Sequence, residues 1–176
     1  MQVQVLTGTP AEIAEFLRLT EGDKTDSEAD DLVVSGNAMS PGAVATFVEE
    51  RGRGADTNAR VLDYLERVRA LGSVEIVTGT SARTKDGLTD YLMIRDDGIR
   101  RYGAVAYVKP ANGGLTLRLT KDDVADVDPV RIKLRDVRPG HQYVVNCPLR
   151  DVETVRFAVE LTIRALDKVR GSDSEA

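Results

Sequence analysis

Cysteine and histidine are almost absent from this chain: Cys147 and His141 are the single representatives of each among 176 residues. One thiol cannot close a disulfide within the chain, and one Cys with one His cannot supply the ligands of a structural zinc site. Any metal would have to be held by carboxylates. Nucleophile–base pairing fares no better, because "HQYVVNC" sets the two residues six positions apart. On a strand rising about 3.3 Å per residue they share a face but stand about 20 Å from each other. Cys147 is accordingly expected to be a small buried hydrophobe, and His141, following "RPG", a turn residue.

Long apolar runs are missing too. Nothing approaches the roughly 18–20 residues of a membrane span, and "MQVQVLTGTP" has neither the basic nor the apolar region of a signal peptide. No membrane is expected as a partner, and the expected location is the cytoplasm. There is no internal repeat, and low complexity is confined to the acidic "TEGDKTDSEADD" and the polar tail "GSDSEA". A Walker A loop is also lacking. "VTGTSARTKDGLTDYLMIR" carries Gly79, Gly87, hydroxyls and the bases Arg83 and Lys85, but it runs from strand to strand where that motif needs a strand running into a helix. No cofactor is expected.

What is present suits a globular protein with one ordinary core or two small ones: 41% of residues are hydrophobic and 30% charged. The net charge of −5 is unevenly spread. Residues 1–50 carry 10 acids and 2 bases, residues 51–138 carry 13 and 17, and residues 139–176 carry 6 and 5. A basic middle on an acidic protein can hold phosphates, although scattered solvated arginines would produce the same count.

Periodicity divides the chain. "QVQVL" alternates as a strand, and "TPAEIAEFLRL" places Thr9 as N-cap, Pro10 at the first helical position and Ile13, Phe16 and Leu17 at helical spacing. This predicts a strand–helix unit over 1–19. Residues 20–31 have nothing to bury and read as a mobile acidic linker. In "SPGAVATFVEERG", Ser40 caps a helix that Pro41 opens and Gly52 closes. A second helix follows in "DTNARVLDYLERVRALG", with Val61, Leu62, Leu65 and Val68 as its apolar stripe, Asp56 or Thr57 as its cap and Gly72 as its stop. "SVEIVT" and "LTDYLMIR" are strands of a hairpin, and "GAVAYVKP" and "LTLRLT" pair around the Asn-Gly of "ANGG". "VRIKL" and "YVVNC" add two more strands. "RDVETVRFAVELTIRALDKVRG" is a long helix expected to pack through Val152, Val155, Val159, Ile163 and Leu166.

The expected fold class is therefore α+β. A two-helix plus hairpin, winged-helix-like middle over 32–100 joins a mostly antiparallel, β-rich module over 101–170 that the long C-terminal helix closes, with a tail at 171–176. In a winged helix the second helix enters the major groove by its N-terminal residues while the hairpin reaches phosphates. Asn58, Arg60 and Arg67 are then the helix contacts to duplex DNA, and Arg83 and Lys85 the hairpin contacts. The plainer alternative, an α+β domain whose hairpin tip is merely polar, stays open. Paired aspartates at 30–31, 96–97 and 122–123 sit in predicted loops, where adjacent acids serve solvation or capping. No catalytic residue and no metal ligand is assigned.

From "RYGAVAYVKPANGGLTLRL" through "GHQYVVNCPLRDVETVRFAVELTIRAL", residues 101–166 resemble the small MmcQ/YjbR-like modules found alone or appended to restriction and other DNA-processing proteins. The likeness lies in a small residue opening an aromatic strand, a basic strand ending in "LRL", the late strand "YVVN" and an acidic start to the closing helix. It implies a β-rich, DNA-associated module and carries over no catalytic residue. "VQVLTGTPAEIAEFL" is similar to the strand–helix starts of many phage and plasmid proteins, and the Ala/Val/Arg/Asp bias points to a high-GC bacterial or phage source. The expectation is a non-enzymatic DNA-associated regulator or accessory protein. The alternatives are an interaction or assembly module, with a protein partner or as a homo-oligomer, and then a hydrolase or nuclease using loop carboxylates.

Overall fold

A computed structural model describes residues 38–81, 83–98 and 103–171. The strand–helix unit expected over 1–19, the linker over 20–31 and tail residues 172–176 lie outside the described residues. Helix α1, Pro41–Arg51, begins as its sequence dictates: the Ser40 hydroxyl accepts from the Ala43 N–H at 3.2 Å, Pro41 needs no donor, and Gly52 takes the C-cap. Helix α2, Ala55–Ala70, departs from expectation at its start. Gly54 occupies the N-cap and no side chain caps the helix. Asp56 remains exposed in the first turn, and Thr57 instead accepts a hydrogen bond from Arg60. Only residues 52–54 separate the two helices, and the N-cap position falls on Gly54, which has no side chain to accept from the first turn.

Six strands follow: β1 (Val74–Thr80), β2 (Leu88–Asp96), β3 (Ala106–Lys109), β4 (Gly114–Leu117), β5 (Lys133–Leu134) and β6 (Val145–Asn146). They form one sheet in the order β1-β2-β3-β4-β6-β5, antiparallel at every pairing. Two glycines are required by geometry. Gly113 turns the β3–β4 hairpin at φ +64°, and Gly79 sits at the register shift of β1, where an added Cβ would lie 2.9 Å from the Thr89 methyl. A 3₁₀ turn, Asp122–Val124, and the long helix α3, Val152–Gly171, complete the order of the described elements. Asp151 and Thr154 cap α3 reciprocally: Asp151 Oδ1 accepts from the Thr154 N–H at 2.8 Å, and Thr154 Oγ1 accepts from the Asp151 N–H at 2.9 Å.

All three described helices pack on the same side of the sheet. Ile76, Leu92, Ile94, Ala106, Val108, Leu115, Leu117, Val145 and Cys147 face them, and Val48, Tyr64, Leu65, Leu161 and Leu166 fill the layer between. The Tyr64 hydroxyl, wholly buried, meets Thr162 Oγ1 at 2.7 Å. The face of α3 that packs coincides with the expected one only in part, at Val155, Leu166 and the partly covered Val159. Val155, Ala158, Leu161, Thr162, Ala165, Leu166 and Val169 are buried, whereas Val152 is 57% and Ile163 39% exposed and Val159 is only partly covered. The stretches 32–100 and 101–170, set apart in the sequence, share this sheet and this core: β2 pairs with β3 from Leu92↔Val108 to Ile94↔Ala106.

Candidate nucleic-acid interface

The hairpin tip between β1 and β2 is closed by its own backbone and hydroxyls. Ser81 N–H donates to the Gly87 carbonyl at 2.8 Å, the Leu88 N–H to Asp86 Oδ1 at 3.1 Å, and the Thr84 hydroxyl to the Ser81 carbonyl at 3.1 Å. Arg51, the last residue of α1, ties the tip down. Its guanidinium pairs with Asp86, donates to the Thr89 carbonyl at 3.1 Å and lies 4.1 Å over the Phe47 ring. The Arg51 guanidinium holds the Asp86 carboxyl below the usual carboxylate range. Because α2 starts four residues after Arg51, the tip and the leading end of α2 lie at the same end of the layer. Arg83 and Lys85 are exposed there, and among the described residues neither side chain has an ion-pair or hydrogen-bond partner.

The three helix residues expected to accompany them are engaged elsewhere. Asn58 turns inward, its Oδ1 buried without a partner beneath Gly52, where a Cβ would come within 1.7 Å of it. Arg60 spans to the loop before α3, donating to the Leu149 carbonyl at 3.0 Å and to Thr57 Oγ1 at 3.2 Å. Arg67 is exposed but paired with Asp63 at 2.7 Å, about 13 Å along the helix from Asn58. The solvent side of α2 also carries Asp56 and Glu66.

Of the paired aspartates, 30–31 lie outside the described residues, and one member of each other pair is committed, Asp96 standing at the end of β2 and not in a loop. Asp96 takes Arg170 at 2.6 Å, and Asp123 takes Lys168 together with the Thr120 N–H at 2.6 Å and hydroxyl at 2.7 Å. Partial burial opposes ionisation of Asp123, but the Lys168 ammonium and the Thr120 donors outweigh it and hold its carboxyl below the usual range. Among the described residues no three of His, Cys, Asp and Glu gather as metal ligands. Cys147 is fully buried, and that burial pushes its thiol up to about 11. His141 Nδ1 accepts from the Tyr143 N–H at 3.1 Å, so the ring serves its own turn.

Sequence reasoning missed the other face of the sheet. No described helix packs on it. One transverse row crosses all six strands: Val77, Met93, Tyr107, Thr116, Asn146 and Lys133, each opposite the next. Tyr91, Tyr107 and Tyr143 run edge to face along it, with centroids 5.4 and 5.1 Å apart, and the Arg118 guanidinium lies 5.8 Å from the Tyr143 ring. Burial and the neighbouring Tyr143 raise the Tyr107 phenol above its ordinary value, and burial followed by Asp90 raises Tyr91, so both stay neutral. Toward β1 and β2 the charges are paired, Arg95 with Glu75 at 3.2 Å and Lys109 with Asp90 at 3.7 Å. At the β5 end, Lys133 and Arg135 are exposed and make no ion pair among the described residues. The signal was present in the alternation of "DYLMIR" and "AVAYVKP", which puts Tyr91, Met93 and Tyr107 opposite the core-facing positions. No protein-family model, curated protein or solved structure matches this chain.

Proposed function

We propose that this chain is a non-enzymatic DNA-associated accessory or regulatory protein that holds duplex DNA through its phosphates. The observation that carries this reading is the hairpin tip. Its loop is held by Arg51 at the leading end of α2, and it extends Arg83 and Lys85 into solvent. A tethered cation loses less freedom on meeting a phosphate than one on a loose loop. Two hydrogen bonds, to Leu149 and Thr57, hold the Arg60 guanidinium toward the protein, so base readout from α2 is weak and affinity is nearly independent of sequence.

Fluorescence anisotropy with unrelated duplexes at low and moderate salt tests the reading. Arg83→Ala with Lys85→Ala should weaken binding equally on every duplex and reduce the salt slope by about 2, close to 1 for each phosphate no longer held. A slope unchanged by the double substitution removes the tip from the interface. Absence of duplex binding at low salt ends the reading and leaves an interaction or assembly module in its place.

A further inference from the structure

We infer that the face of the sheet on which no described helix packs carries, from Tyr91 and Tyr107 to the β5 edge, a second binding site, one for single-stranded nucleic acid, with Tyr91 and Tyr107 as base-stacking groups and Lys133 and Arg135 as phosphate contacts. The proposal does not depend on the duplex reading, because it rests on different residues. Single strands are held by aromatic rings that meet bases together with cations that follow the backbone. Both components occur here on one surface and in order. The row starts at Val77 and Met93, which are buried, and its accessible part runs from Tyr107 through Thr116 and Asn146 to Lys133. Three strand spacings separate Tyr107 from Lys133, or about 14 Å, so ring and cation engage different parts of one bound strand.

The rings are fixed before any ligand arrives. Tyr143 donates to the Ala104 carbonyl at 2.5 Å and its ring packs against Tyr107, which in turn packs against Tyr91. Tyr107 and Tyr91 pack against the buried Val77, Met93 and Ala104, and each keeps part of its surface exposed. Rings ordered in this way lose little conformational freedom on binding. Thr116 and Asn146, joined at 2.8 Å, lie between the aromatic and basic parts as hydrogen-bonding groups suited to base edges. The charge gradient identifies the occupant. The acids of this face are already paired, whereas Lys133 and Arg135 at its β5 end meet no acid among the described residues. A polyanion with stacking bases complements such a surface, and an acidic or neutral peptide uses only half of it.

The test uses the full chain with a labelled oligothymidylate at about 50 mM salt, where phosphate contacts are strong. The chain has no tryptophan, so its intrinsic emission comes from tyrosine, and binding should quench it. Tyr107→Leu should weaken single-strand binding about tenfold, the loss of one stacked base. Tyr107→Phe, which keeps the ring, should bind as the parent does. Lys133→Ala with Arg135→Ala, both at exposed positions, should lower the single-strand salt slope by about 1.4, or ~0.7 for each cation removed. Duplex binding, measured alongside, should be insensitive to Tyr107→Leu and sensitive to the Arg83 and Lys85 changes, so the two sites fail separately. Absence of single-strand binding in the parent protein, or unchanged single-strand affinity in a folded Tyr107→Leu protein, overturns the proposal. So does an unchanged slope in the Lys133, Arg135 variant.

Discussion

Arg60 and Arg67 stand about two turns apart on α2 and serve different ends. Arg67 reaches solvent and forms an i,i+4 pair with Asp63, an exposed arrangement contributing roughly 0.3–0.5 kcal/mol. Arg60 is half-buried, and its guanidinium joins α2 to the carbonyl of Leu149, 89 positions away in sequence. Arg60→Ala strands that carbonyl, and the expected cost is about 1–2 kcal/mol in urea unfolding. Arg67→Ala should change stability by less than about 0.5 kcal/mol. Equal stability of the two variants would show that the hydrogen bond to Leu149 contributes nothing. Discrimination between DNA sites should be unaltered by Arg60→Ala, which a base-reading arginine would not allow.

At the scale of elements, α3 shows how a stripe can be misassigned. Of Val152, Val155, Val159, Ile163 and Leu166, the large residues at helical spacing, Val155 and Leu166 are buried but Val152 and Ile163 are exposed, because the buried face turns toward Ala158, Leu161, Thr162 and Ala165. Small residues on that face let α3 approach α2 closely enough for Thr162 to meet the Tyr64 hydroxyl. Hydrophobicity alone under-weights alanine and threonine, which bury little area each and owe their place to the neighbouring helix. The two faces can be told apart by substitution. Leu161→Ala should cost about 2–5 kcal/mol, as a large-to-small change in a closed core does. Ile163→Ala, at a position 39% exposed, should cost less than ~1 kcal/mol. Thermal melting that ranks them the other way would reverse the assigned face.

Over the whole molecule, one sheet and one helix-side core join residues on both sides of the expected boundary near 100. Ile94 pairs with Ala106, and the Val105 N–H donates to the Ile94 carbonyl at 2.7 Å. The core includes residues from Val44 to Val169. The body formed by residues 38–171, built in this way, should unfold in one step: tyrosine emission, reporting Tyr64 and Tyr107 in different layers, and far-UV circular dichroism should follow coincident urea curves. Two separated transitions would restore the two modules. The charge distribution belongs to this scale as well. Among the described residues the bases of 51–138 do not form a single patch: Arg51, Arg60, Arg95 and Lys109 are held by partners, and the exposed others are spread over the α1–α2 link (Arg53), α2 (Arg67), the hairpin tip (Arg83, Lys85), Lys121 and the β5 end (Lys133, Arg135, Arg138).

Local chemistry was legible in the sequence. Ser40, Pro41 and Gly52 bounded a helix through hydrogen bonds made within four residues, "ANGG" made a hairpin through the φ of Gly113, and strict alternation located β1 through β4. From these elements the α+β class followed. Cys147 was also identifiable as buried, since a lone small apolar residue in an alternating strand has few other places. Tertiary contact decided the rest. Whether the hairpin stood apart as a wing depended on the edge of β2, which β3 takes as its pairing partner. Whether Arg60 faced solvent depended on a carbonyl in a distant loop. Tyr91, Tyr107 and Tyr143 lie on three separate segments, and only the sheet brings each ring within 5.4 Å of the next along one face. A surface of that kind is a property of strand order, which local periodicity does not encode.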